Sequence, residues 1–107
     1  MEKEKGYNGW SNYETWACAL WIDNDEGLYD QIQEEVSRNQ DTYKLQKYIK
    51  GLVNELSPEL PASMYSDLLS SAINNIDFYE IAESLIGDWK AENPEEVVYA
   101  DTESDND

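Results

Sequence analysis

The side chains able to do chemistry in this sequence are mostly carboxylates. Glu26, Asp30 and Glu34 recur every four residues, with Asp23 and Asp25 just ahead of them and Glu35 beside the last. On a helix that spacing sets successive carboxylates about 6 Å apart along the axis. A second series runs Asp77, Glu80 and Glu83 and continues through Asp88 and Glu92. Like charges four apart destabilise a helix by roughly 0.2–0.5 kcal/mol per pair. Stripes of this kind therefore weaken the helices that carry them and point to an external role. Rigid carboxylates at several-ångström spacing can imitate a phosphate array, and a basic protein would meet them by the counterion release that governs DNA binding. The alternative is an accessory or structural interaction domain whose acidic face only keeps it soluble.

Other chemistries have less support. An EF-hand loop needs oxygen ligands at positions 1, 3 and 5, Gly at 6 and Glu at 12. Counted from Asp23, the chain supplies Asp25 at 3 and Glu34 at 12, but Gly27 falls at 5. That misplacement removes a ligand and shifts the turn, so the segment reads as a helix stop followed by an acidic helix start. Carboxylate pairs suited to glycoside hydrolysis are expected by density alone among 24 acids and carry no information. The sequence has no histidine and one cysteine. Histidine-based triads, Cys/His zinc sites and intrachain disulfides are thereby excluded. Cys18 sits in the most apolar segment, whereas a reactive thiolate needs exposure and positive neighbours. The expectation is a binding protein without catalytic residues, metal or cofactor.

The elements that position these groups read as helices. Tyr7–Ser11 forms a turn, and Ser11-Asn12-Tyr13-Glu14 matches the S-x-x-E capping box. Helical spacing from Tyr13 to Ile22 puts Tyr13, Trp16, Ala17, Leu20 and Trp21 on one face. No polar side chain lies between Thr15 and Asp23, so this helix is expected to be surrounded by others, with Tyr13, Trp16 and Trp21 in the core. Trp10, ahead of the helix, is expected to stay partly exposed as an anchor for a partner. A second helix covers Glu26–Arg38 and buries Leu28 or Tyr29, Ile32 and Val36. The third, Thr42–Leu56, carries Leu45, Tyr48, Ile49, Leu52, Val53 and Leu56 at three- and four-residue steps. Pro58 and Pro61 mark a connector. A fourth helix, from about Ala62 to Asn74, turns Tyr65, Leu68, Leu69, Ala72 and Ile73 inward. Asp77-Phe78-Tyr79-Glu80 resembles a second capping box, with Ile76 and Ile81 placed as a hydrophobic staple. The fifth helix uses Ile81, Ala82, Leu85, Ile86 and Trp89 and stops at Asn93-Pro94. The fold class is all-α: a small bundle of about five helices over residues 7–93, with a flexible N-terminus at 1–6. Residues 94–107 form an acidic tail, expected to be disordered, whose Val97-Val98-Tyr99 patch could dock.

Composition sets the bounds. The 107 residues carry 24 Asp+Glu against seven Lys+Arg, a net charge of −17. Between Gly6 and Asn93 there are 16 acids and five bases, so the acidity belongs to the folded body as well as the tails. A hydrophobic fraction of 40% concentrated in periodic segments argues against disorder of the whole chain. Six of the seven cations are Lys, which is unlike salt-adapted proteins. Direct nucleic-acid binding and attraction to an anionic membrane are both disfavoured by the charge. Neither a membrane span nor a signal peptide is apparent, and a cytoplasmic protein of a host bacterial or archaeal cell is expected. Arg38, Lys44, Lys47 and Lys50 gather around the start of the third helix. That less acidic edge could let copies associate head to tail.

The run Asn8-Gly9-Trp10-Ser11-Asn12-Tyr13-Glu14-Thr15-Trp16, continued by Leu20-Trp21-Ile22-Asp23-Asn24, resembles a family of small proteins of unknown function from phages, plasmids and prokaryotes. The resemblance covers residues 8–26 and implies a mobile-element setting, without an activity or site residues. Small acidic proteins of such elements often block host defence nucleases. The expected function is inhibition of a host nucleic-acid-binding defence protein, a CRISPR or restriction nuclease, by nucleic-acid mimicry.

Overall fold

The computed structural model describes residues 6–95. Expectations for residues 1–5 and 96–107, including the Val97–Tyr99 patch, lie outside the described residues. Among those described, five helices follow one another: α1 (Tyr13–Asn24), α2 (Glu26–Arg38), α3 (Thr42–Leu56), α4 (Met64–Asn74) and α5 (Phe78–Glu92). The all-α class is as expected, and α2 and α3 have the expected bounds. Each begins where an aspartate side chain accepts a backbone N–H three residues on, Asp25 from Leu28 at 3.0 Å and Asp41 from Lys44 at 3.0 Å. Such caps satisfy one of the donors that a helix start leaves open.

The N-terminal turn is a two-residue hairpin. Tyr7 and Trp10 exchange backbone hydrogen bonds of 2.9 and 2.7 Å. Asn8 and Gly9 between them have φ of +46° and +89°, as a tight turn with two left-handed residues requires. The cap of α1 differs from the expected box. Asn12, not Ser11, is the N-cap, its Oδ1 accepting the Thr15 N–H at 2.9 Å. Its Nδ2 also donates to the Asn75 carbonyl at 2.7 Å. Asn suits both tasks because its amide carries an acceptor and donors.

The core is built by α2, α3 and α5, with α3 against α5 the most extensive pairing, and α1 closes it with Ala19 and Ile22. Ile32 and Val36 of α2, Leu45 and Ile49 of α3, and Phe78, Ile81, Ala82, Leu85, Ile86 and Trp89 of α5 are buried. Ile76 packs on the same core, so both residues of the expected staple join it.

Two expectations about burial fail. α1 buries Thr15, Ala19 and Ile22, whereas Tyr13 is 53% and Trp21 72% exposed. The apolar side chains of α1 surround its axis, so their pattern could not say which side turns inward. A hydrogen bond supplies the orientation instead: the Thr15 Oγ1 accepts the Asp77 N–H at 2.8 Å, locking the start of α1 to the start of α5. Tyr13 and Trp16 join Tyr7 in an aromatic cluster with ring centroids 5.0–5.5 Å apart. The second failure is α4, which has no buried residue and makes no extensive contact with another helix among those described. Leu69, Ala72 and Ile73 are half-buried, while Tyr65 and Leu68 are exposed.

Candidate functional site

Acidic residues from three helices meet around Tyr29. The end of α1 supplies Asp23, α2 supplies Asp30, and the C-terminal part of α5 supplies Asp88 and Glu92. Partial burial raises the Tyr29 hydroxyl pKa, and the charges of Glu92, Asp23, Asp88 and Asp30 raise it further. The Asp23 carboxyl is likewise raised by desolvation and then by the charge of Asp88. These effects place the four carboxylates within electrostatic reach of Tyr29, and Asp23 within reach of Asp88, on side chains that are all solvent-exposed. Asp25 and Glu26 lie at the corner between α1 and α2. One turn after another along α2, Asp30 and Glu34 follow them.

The candidate residues do not all keep their charge available. Arg38 donates to Glu34 at 3.1 Å and to Glu35 at 3.0 Å, so the far end of the α2 stripe is partly neutralised. Both pairs are largely exposed and contribute little to stability. Asp25 turns one carboxylate oxygen to the Leu28 N–H.

The second stripe, as expected from Asp77, Glu80 and Glu83, is not a continuous surface. Asp77 caps α5, its Oδ1 accepting the Glu80 N–H at 3.0 Å. Glu80 is 8% exposed and its Oε1 accepts the Ser11 N–H at 3.1 Å. Instead of closing a capping box on Asp77, the Glu80 carboxylate reaches across to the N-terminal hairpin. The physical reason is competition for one donor: the Asp77 N–H is already given to Thr15. Glu83 is exposed and borders a shallow hollow with Gly9, Trp10, Glu80 and Ser84. Trp10 is half-buried and packed on the core. The acids of α5 that join α1 and α2 are therefore Asp88 and Glu92. Their sequence signal was the same three-to-five residue stepping; what chose between the two ends was which end of α5 lies beside Asp23.

The EF-hand alternative is overturned by the backbone. Residues 26–34 are helical and only Asp25 separates α1 from α2, so there is no twelve-residue loop to wrap an ion. Among the described residues, no three Asp, Glu or Cys side chains are gathered as a metal site would need.

The described residues also form two other concave surfaces. A polar cleft of about 820 Å³ lies between α3 and the turn joining α4 to α5, with Lys47 and Lys50 on its α3 wall. Lys47 also sits 5.3 Å from the Tyr43 ring centre. An apolar groove of about 390 Å³ runs between α1, the end of α3 and α4. Cys18 lines it, and burial pushes that thiol up to about 11, so at neutral pH it stays protonated and weakly nucleophilic. No helix among the described residues is long and apolar enough to cross a membrane.

The residues of the N-terminal run have architectural tasks. Asn8 and Gly9 make the turn, Asn12 the cap and Thr15 the link to α5. A family model described as a family of unknown function (DUF7249) matches residues 3–93. No curated protein and no solved structure matches the chain.

Proposed function

We propose that this chain, which belongs to the DUF7249 family of unknown function, is a binding protein that occupies a basic nucleic-acid site on another protein. The supporting observation is the convergence of Asp23, Asp30, Asp88 and Glu92 from three helices around Tyr29. Helices hold these carboxylates in fixed relation, so the repulsion between Asp23 and Asp88 is met once, during folding. A basic groove that gains them releases its own counterions, as it does on binding a phosphate backbone. In this reading the protein comes from a mobile element and its target is a host defence protein, a CRISPR or restriction nuclease, which it inhibits by excluding the nucleic acid. Asp25, Glu26 and Glu34 extend the contact, with Glu35 and Glu83 at its margin.

The second reading is an accessory protein-interaction domain whose acidic face serves solubility, and the apolar groove beside α4 favours it. The two separate in one experiment. The purified chain is used to capture basic nucleic-acid-binding proteins from host lysate, and the retained protein is then challenged with duplex DNA. Mimicry predicts that DNA displaces the chain, and that binding weakens steeply as salt rises. It also predicts that Glu26→Lys, Asp30→Lys and Glu34→Lys together abolish binding with the helical content unchanged. Binding that survives the triple reversal, or is indifferent to salt and DNA, sinks the mimicry.

A further inference from the structure

We infer that the apolar groove between α1, the end of α3 and α4 is the interface of a symmetric homodimer, in which each copy lays its α4 into the groove of the other. This goes beyond the acidic-face reading and uses different residues. Within one chain α4 has no buried residue, although Tyr65, Leu68, Leu69, Ala72 and Ile73 follow one another at the three- and four-residue steps of a single helix face. The groove beside it is lined by Ala17, Cys18 and Trp21 of α1, Val53 and Leu56 of α3, and α4 itself.

The exposed area is what a dimer needs. Trp21 is 72% exposed, Tyr65 70%, Leu56 67%, Met64 64%, Leu68 60% and Tyr13 53%. Trp21, Leu56 and Tyr13 line the groove, and Met64, Tyr65 and Leu68 lie on α4. Joined across a two-fold axis, large side chains at these exposures would supply on the order of 800 Å² per copy, about one partner's share of a standard interface.

The charge distribution selects a second copy as the occupant. A two-fold interface sets one patch against itself, so a charged patch would repel its own image while an apolar one is self-complementary. Glu14 is the charged residue among those lining the groove, and Asp67 is the charged residue of α4. A chain with 16 acids and five bases between Gly6 and Asn93 thus meets its own copy on a surface that carries one acid in the groove and one on α4. Each copy also offers both parts of the joint, a groove and a helix whose Met64, Tyr65 and Leu68 are exposed.

The test is sedimentation of the full chain from low micromolar to about 100 µM at physiological salt, a range in which a standard-sized interface is populated. A species of twice 12.4 kDa is expected. Trp21→Glu and the pair Tyr65→Glu with Leu68→Glu should each weaken dimerisation by about 100-fold or more. Their circular dichroism should stay unchanged, because these side chains are exposed in the single chain. Glu26→Lys with Asp30→Lys and Glu34→Lys should leave the dimer intact, which separates failure of this inference from failure of the acidic-face reading. Should a groove variant not fold, hydrogen exchange of the wild-type chain decides: amides of α4 become more protected as concentration rises. A 12.4 kDa species throughout the range, or a dimer indifferent to the groove variants, overturns the inference. So does a full chain that is monomeric when the same chain ended at Glu95 dimerises, since the residues beyond would then fill the groove.

Discussion

α4 and α5 lie next to each other in the chain and have similar apolar spacing, yet α5 buries seven residues and α4 none. Helical periodicity identifies the side of a helix that prefers to leave water; it does not state that anything within the same chain will cover it. α5 is covered because the hairpin, α2 and α3 close on it, and because Thr15 and Glu80 fasten its first turn to α1 and to the hairpin. α4 hangs between the Pro58–Pro61 connector and the Asn75–Asp77 turn, with a groove beside it rather than a packed neighbour.

The widest separation between the two helices should appear in truncation of apolar side chains. Trp89→Ala or Ile81→Ala in α5 removes a buried side chain from the core and is expected to cost about 3–5 kcal/mol or 2–5 kcal/mol respectively. Urea titration measures the loss, and a cost under 1 kcal/mol would mean that α5 is not the centre of the core. Next in size is the fastening of α5. Thr15→Val keeps the shape but removes the acceptor for the Asp77 N–H, leaving a part-buried donor without a partner at a cost of about 1–3 kcal/mol. Thr15→Ser keeps the hydroxyl and should recover most of that loss in the same titration.

Leu68→Ala in α4 should change stability by no more than about 0.5 kcal/mol when measured at protein concentrations low enough to keep the chain monomeric. A larger loss there would show α4 to be covered within the chain and would erase its contrast with α5. The smallest effect concerns Asp23, which faces Asp88 at the other end of α5. Its folded-state pKa lies above the ordinary 3.8 because of desolvation and the Asp88 charge. The folded protein therefore holds this proton more tightly than the unfolded chain does, and stability falls as pH rises through the folded value. Asp23→Asn should melt slightly higher than wild type at pH 7, and the gap should close below the ordinary carboxylate pKa. A gap of constant size across that range would assign it to something other than ionisation.

Much of this molecule could be read in its residues. The acidic helix start after Asp23 and the three- and four-residue apolar spacing set the bounds of α2 and α3, and the clear division of those helices into apolar and polar sides identifies Ile32, Val36, Leu45 and Ile49 as core. The acids of α2 were equally plain. The reading failed where a residue's neighbours come from far along the chain. α1 is apolar on every side, so its inward side was decided by the Thr15–Asp77 hydrogen bond, between residues 62 positions apart. Glu80 looked like one more surface acid, but the hairpin offered it the Ser11 N–H, 69 positions away. Trp21, in the most apolar stretch of the sequence, ended outside.

By itself, then, the sequence determined the helices, the acidity of the body and the apolar side of each amphipathic segment, because these depend on residues within a turn or two of one another. Only the tertiary structure decided which apolar sides are covered, which acids are held inside the fold, and that Asp23, Asp30, Asp88 and Glu92 all act on Tyr29. Burial and electrostatic grouping are properties of space, set by which helices come to lie side by side.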